Sequence, residues 1–197
     1  MEKVEKTVRL KTGKKVLIRH MDKDDVQASF DFFQRLPPDD RKYLRVDVTD
    51  WEWVDRRVRF SDDGRVERLV VLDGDDIVGD GALELEGHGW GEKIAEIRLI
   101  IAREFQRTGL GTVLARELHM LAAQHKVERI VARLMEPQVG AHRILHHLGF
   151  HDEFTLPKMV RDRAGQWQDM IIMRCNLETL WREMETMFEL GDWQRHR

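Results

Sequence analysis

The sequence predicts an α/β fold of the α+β kind, a mixed central β-sheet with helices on both faces. Three observations carry this. An apolar strand (Ile94, Ile97, Leu99, Ile100, Ile101) runs into the glycine turn Gln106-Arg107-Thr108-Gly109-Leu110-Gly111-Thr112, and an amphipathic helix starts inside that turn. A second strand, about Arg129 to Met135, and a second helix, about Val139 to Leu148, follow in the same alternation. Strands separated by short turns lie on either side and add antiparallel partners.

Each element has its own signal. Val8–Leu10 and Val16–Ile18 flank Thr12-Gly13-Lys14 and read as a hairpin. Asp22 or Asp24 caps a helix bearing Val26, Phe30 and Phe33, which Pro37-Pro38 stops. Thr49-Asp50-Trp51-Glu52 is a capping-box pattern opening a helix with Trp51, Val54 and Val58 on one face. Val66–Leu72 and Ile77–Leu85 surround Asp73-Gly74-Asp75-Asp76, a strong hairpin signal. The helix after the glycine turn, about Gly109 to His125, carries Leu110, Val113, Leu114, Leu118 and Leu121 on one face. Strands of about Phe154 to Arg161 and Trp167 to Cys175 flank Asp162-Arg163-Ala164-Gly165. Residues 1–176 are expected to form one domain, with 177–197 as a C-terminal amphipathic helix and tail. The stripe Leu177, Leu180, Trp181, Met184, Met187 and Phe188 would leave a large exposed apolar patch, so burial on its own sheet or in a homodimer is expected.

Composition narrows the function classes. The 197 residues suit one domain, and an apolar share of 42% suffices for one core. A formal net charge of −3 argues against generic nucleic-acid binding. The single cysteine, Cys175, cannot form an internal disulfide. No apolar run approaches the roughly 18 residues of a membrane span, and Met1 to Lys15 shows no secretory h-region. A cytoplasmic protein with no membrane partner is expected.

The glycine turn carries the chemistry. A helix N-terminus offers unpaired amides and partial positive charge, and glycines at 109 and 111 let a phosphate approach them. A P-loop lysine motif is absent, and Leu114 stands where a dinucleotide fingerprint needs its third small residue. What remains is Q/R-x-x-G-x-G/A, met by Gln106, Gly109 and Gly111, with Leu148-Gly149-Phe150 closing the second helix. In motif, order and spacing, from about Val16 to Asn176, the chain resembles the GNAT superfamily of coenzyme A-dependent N-acyltransferases.

That resemblance implies splayed parallel strands at an acyl-CoA site, with acetyl-CoA as co-substrate and no metal. The backbone of Leu99, Ile100 and Ile101 would pair with the pantetheine arm. Gln106 and the amides of Arg107, Thr108, Gly109, Leu110, Gly111 and Thr112 would hold the pyrophosphate, with Arg103 and Arg107 adding charge. Glu96 would act as general base through water, with Glu84 and then Glu86 as second candidates. The plainer alternative pairs Glu96 with Arg98 or with a neighbouring strand on a solvated face. A backbone N–H near Ile100 would serve the oxyanion. Where the family reads N-x-x-A-x-x-x-Y, this chain has Gln138, Ala141 and Leu145. Gln138 can still hydrogen-bond to the cofactor, but Leu145 cannot protonate a thiolate, and the chain's one tyrosine, Tyr43, is far away in sequence. His142 and His146 have metal-ligand spacing without a patterned third ligand, so the histidines, His119 and His125 included, are expected to be solvated or at helix ends.

The acceptor side offers Tyr43, Trp51, Trp53, Trp167 and Arg56-Arg57-Arg59. The implied reaction is direct attack by a primary amine, of a small molecule or a protein, in a ternary complex, because Cys175 lies outside the motif. The rival is a non-catalytic acyl-CoA-binding regulatory module, which Leu145 favours.

Overall fold

The computed structural model of the chain describes residues 3–59 and 64–178. The N-terminal hairpin pairs β1 (Glu5–Arg9) with β2 (Lys15–His20), and its turn places Gly13 at φ +85°. Asp22 caps a 3-10 turn, and Asp25 returns the favour by accepting the Asp22 N–H at 2.6 Å. Helix α1 (Val26–Arg35) follows and buries Val26, Phe32 and Phe33. Pro37 stops it, and Pro38 opens the single turn α2 (Pro38–Arg41).

Helix α3 (Trp51–Arg59) starts from Asp50, not Thr49: Asp50 Oδ1 accepts from the N–H groups of Glu52 (2.9 Å) and Trp53 (3.4 Å). Thr49 instead donates to Asp47. Val54 and Val58 are buried as expected, but Trp51 is 43% exposed and stands edge-on to Phe30. The face that enters the core is set one step round the helix, which brings Trp53 and Arg57 inward.

The hairpin of β3 (Val66–Asp73) and β4 (Asp76–Leu85) turns through Gly74 at φ +63°, a conformation glycine adopts without steric cost. Then come β5 (Ile94–Ile101), α4 (Leu110–Gln124), β6 (Arg129–Met135), α5 (Val139–His147), β7 (His151–Arg161) and β8 (Trp167–Asn176). They complete one eight-stranded sheet of order β1-β2-β3-β4-β5-β6-β8-β7. Only β5 and β6 run parallel; every other neighbouring pair is antiparallel.

Helix α4 packs on one face through Leu110, Leu114, Leu118 and Leu121, all at most 1% exposed. Its approach to β4 is so close that a Cβ at Gly81 would sit 3.1–3.2 Å from Leu118 and Leu114. Helices α1 and α3 cover the opposite face. His119 departs from the expectation for the histidines: it is 4% exposed, inside α4, edge-on to Phe150 at 5.4 Å. Among the described residues no helix is long and apolar enough to cross a membrane. Of the expected C-terminal helix, Leu177 is buried, and everything beyond Glu178 lies outside the described residues.

Candidate active site

The parallel pair β5–β6 is joined at only three positions, Ile94–Arg129, Ala95–Ile130 and Glu96–Val131. Beyond Glu96 the strands diverge, so β5 from Ile97 to Ile101 is paired with β4 on one edge and open on the other. Leu99, Ile100 and Ile101, the residues expected to meet a pantetheine arm, lie on this open stretch. An open strand edge is a row of backbone donors and acceptors ready for an extended ligand.

At its end the strand meets the glycine turn. Arg107 and Gly109 hold positive φ, +61° and +91°, and Gly109 is the N-cap of α4. The first helical bond is Val113 N–H to Gly109 O at 3.1 Å. Among the described residues, the amides of Gly109, Gly111 and Thr112 donate to no acceptor, and Leu110 N–H makes only a 3.4 Å contact with Thr108 Oγ1. Gln106 spans the turn by donating to Ile101 O at 3.3 Å. Arg103 is already engaged by Asp40 at 2.8 Å, whereas Arg107 is exposed. One cation was missed in the sequence. Lys11, in the β1–β2 turn, donates its backbone N–H to Thr108 O and lays its side chain 3.5 Å from where a Gly109 Cβ would be.

A cavity of about 210 Å³ opens from the divergence. Its floor follows from register. Glu84 faces Glu96, Ala82 faces Arg98 and Asp80 faces Ile100 across β4–β5, while Arg68 of β3 faces Ala82. Strand alternation puts these side chains on the α1–α3 side. Trp53 and Arg57 of α3 and the segment 43–48 form the roof, and Gln138, Ala141, Ile144 and Leu145 of α5 form the far wall. Arg163, from the β7–β8 loop, pins that roof by donating to Asp47 at 2.6 Å. The Arg163 guanidinium, then the Thr49 hydroxyl and amide, hold the Asp47 carboxyl well below the usual carboxylate range.

The floor is an arginine–carboxylate mosaic. Glu96, only 8% exposed, lies behind the cavity lining and not in it; it receives Arg45 on one oxygen and Arg133 on the other, with Arg98 Nε 3.8 Å away. The sheet therefore buries Glu96 where a solvated face was the plainer expectation; Arg133 supplies the neighbouring-strand partner, and Arg45 adds one from outside the sheet. Glu84 receives Arg98 on Oε2, and its Oε1 has no hydrogen-bond partner among the described residues. Glu86 packs against Gly91, outside the cavity. Asp80 pairs with Arg57, their side chains 8% and 6% exposed. Arg57 also reaches Ser29 Oγ at 3.3 Å and lies over the rings of Phe33 and Trp53.

The Gln138 side chain caps its own loop, its Oε1 accepting from Met135 N–H at 2.8 Å. Leu145 is 4% exposed and lines the wall, as its match to the family tyrosine predicts. Tyr43, distant in sequence, lines the same cavity from the roof, while Trp51 and Trp167 do not. Sequence reading passed over Arg45, Arg68, Asp80 and Arg133. Arg68 and Asp80 carried a signal: each is a charge on an inward-facing position of an otherwise apolar strand.

His142, His146 and Asp152 bring potential ligand atoms within 4.8 Å of one another on the outer side of α5, with Asp152 supplied by β7. His142 Nε2 lies 2.9 Å from Asp152, a hydrogen bond that accounts for the grouping.

The model of the Acetyltransferase (GNAT) family matches residues 25–150. No curated protein matches the chain in sequence. Solved structures share the fold. The GNAT domain of S. lividans PAT superposes with a TM-score of 0.72 at 14% identity, covering 87% of this chain and 96% of that one. The ribosomal-protein-S5-alanine acetyltransferase from Vibrio fischeri gives a TM-score of 0.72 at 16% identity over 82% and 92%. The structure of yncA from Salmonella typhimurium, with its cofactor acetyl-CoA, gives 0.67 at 20% identity over 82% and 94%. Because the family match runs from the start of α1 to the end of α5 and encloses both the strand divergence and the glycine turn, the chain belongs to the GNAT acetyltransferase family.

Proposed function

We propose that this chain transfers an acetyl group from acetyl-CoA to a primary amine by direct attack in a ternary complex. The observation that supports this best is the open edge of β5 leading into the unpaired amides at the start of α4. A pantetheine arm fits the first and a pyrophosphate the second, so the thioester would sit at the cavity mouth beside Ile100. Lys11 and Arg107 add charge at the phosphate end.

In this reading the ammonium of the acceptor gives a proton to a cavity carboxylate. The neutral amine attacks the thioester carbon, the C–S bond breaks with its electron pair on sulfur, and the remaining excess nitrogen proton reaches the thiolate. Glu96 and Glu84 are the candidate bases. Glu84 has the open oxygen, whereas both oxygens of Glu96 already accept from guanidinium groups. A β5 amide near Ile100 would steady the oxyanion. The Tyr43 phenol shares the cavity and is a candidate replacement for the acid that Leu145 cannot supply.

The second reading, a non-catalytic acyl-CoA-binding module, draws on Leu145 and on the ion-paired state of the carboxylates. Thiol release separates the two. Acetyl-CoA is incubated with the protein and a panel of amines, and free coenzyme A is followed over time. Amine-dependent release supports transfer. Calorimetric binding of acetyl-CoA with no release from any amine supports the module, and no binding overturns both.

A further inference from the structure

The cavity floor is not electrically balanced. Five arginines (Arg45, Arg57, Arg68, Arg98, Arg133) and two carboxylates (Asp80, Glu84) line it, and a third carboxylate, Glu96, sits behind Arg45 and Arg133. Every carboxylate is engaged: Asp80 by Arg57, Glu84 by Arg98, Glu96 by Arg45 and Arg133. Arg68 alone among these arginines has no hydrogen bond or ion pair from its side chain among the described residues. Its Nε is buried with no acceptor. Asp80 has a second oxygen without a partner, yet it is not within ion-pair distance of Arg68. Burial first, and the neighbouring charge of Arg57 second, push the Arg68 guanidinium down to about 10, so it is still a cation at neutral pH.

Arg68 as a whole is half-buried, but its Nε is buried without an acceptor and Asp80 and Glu84 act on it only at a distance, so the guanidinium is under-satisfied, and a fold keeps such a group where something completes it. A planar fork of N–H donors matches a carboxylate. The position also suits a substrate. Arg68 and Arg98 lie in one transverse row of the sheet, separated by the small Ala82. Strand spacing puts β3 roughly 10 Å from β5, a distance that the arginine side chain largely spans.

We propose that the acceptor is a small amino-acid-type molecule, a primary amine that also carries a carboxylate, and that Arg68 receives the carboxylate while the amine points to β5. The fate of the amine rests on the acyl-transfer reading above; capture of the carboxylate does not. Arg68 is thus a specificity-determining residue, and neutral or polycationic amines are disfavoured by a floor that already holds more positive than negative charge.

The test uses matched pairs, L-alanine with L-alaninamide, β-alanine with its amide, and γ-aminobutyrate with its amide, on the full-length wild type, Arg68→Gln and Arg68→Lys. Thiol release gives kcat/KM, and calorimetry on the coenzyme A-loaded protein gives binding without turnover. At least one acid is expected to exceed its amide by about tenfold or more, the size of a charge-assisted hydrogen bond. Arg68→Gln should erase that preference mainly through KM, and Arg68→Lys should retain part of it. Because Arg68→Gln breaks no hydrogen bond or ion pair among the described residues, its melting temperature should change little, which keeps a loss of binding interpretable. Amides equal to acids in the wild type, or an unchanged preference in Arg68→Gln, would overturn the assignment while leaving acyl transfer standing. Acids that bind the wild type and not Arg68→Gln, with no thiol released, would uphold the carboxylate subsite and remove the transfer reading. No acid binding and no acid turnover would overturn the subsite.

Discussion

At the scale of single residues, the two glutamates of the floor separate by their partners. Glu84→Gln is expected to lower turnover by about 10²-fold, with KM little changed. Glu96→Gln should instead cost stability. It strips the shared anion from Arg45 and Arg133, and because both arginines are about a third exposed, the loss is expected to be only about 1–2 kcal/mol. Urea midpoints and turnover on both variants check this, and a Glu96→Gln protein of full stability and poor turnover would return the base to Glu96. His119 makes a pH prediction. Its Nδ1 donates to Ala115 O at 2.8 Å, leaving Nε2 buried and without a partner, so the neutral ring fits and the cation does not. Burial lowers its folded pKa below the ordinary 6.5, against a smaller opposing effect of the Ala115 bond. The unfolded chain therefore takes the proton first as pH falls. Stability is full above about 6.5 and declines below it, by at most roughly 1.4 kcal/mol per pH unit. Between pH 7.5 and 5.5 the wild type should lose more stability than His119→Leu; equal losses would remove His119 from the account.

At the scale of elements, the phosphate end can be tested without breaking the turn. Substituting Gly109 strains a φ of +91°, and a Cβ on Gly111 would meet Ile144 at 3.0 Å, so either change confuses folding with binding. Thr112→Glu avoids both. A carboxylate in the first turn of α4 favours the helix through its dipole and opposes a phosphate at the same amides. It should weaken acetyl-CoA binding about tenfold or more while leaving the melting temperature level or higher. Unchanged calorimetric affinity would move the cofactor elsewhere. Elements are also where the sequence was most legible. The glycine turn, the β3–β4 hairpin and the limits of β6 follow from local spacing, because turn chemistry and periodicity act within a few residues. The α3 cap was legible only to within one residue: Thr49 and Asp50 can both cap, and Asp47 captures the threonine.

At the scale of the whole molecule, the site depends on contacts that local pattern does not encode. Leu99–Ile101, Gln138 and Leu145 were placed by motif. The sequence offers Tyr43 for the acceptor side without a place, Arg68 carries a signal only as a charge in an apolar strand, and Arg45 reaches the cavity through the path of the 43–48 segment, which nothing local announces. Cofactor binding should register globally. A ligand held only by the native state at 100 times its dissociation constant stabilises by about 2.7 kcal/mol, or roughly 5–10 °C in a chain of this size. Thermal shifts with acetyl-CoA, ATP and NAD should show that rise for acetyl-CoA alone; an equal rise with NAD would sink the cofactor assignment.

The three paired positions between β5 and β6 also have a mechanical meaning. The sheet falls into two halves, β1–β5 and β6–β8, sharing a short seam, with the Glu96–Arg133 contact beside it and the Asp47–Arg163 contact across the top. A ligand along the open edge of β5 would therefore touch both halves of the sheet at once, and the stiffness of that seam should differ between the empty and the occupied protein, which amide exchange at Ile94–Glu96 and Arg129–Val131 can read.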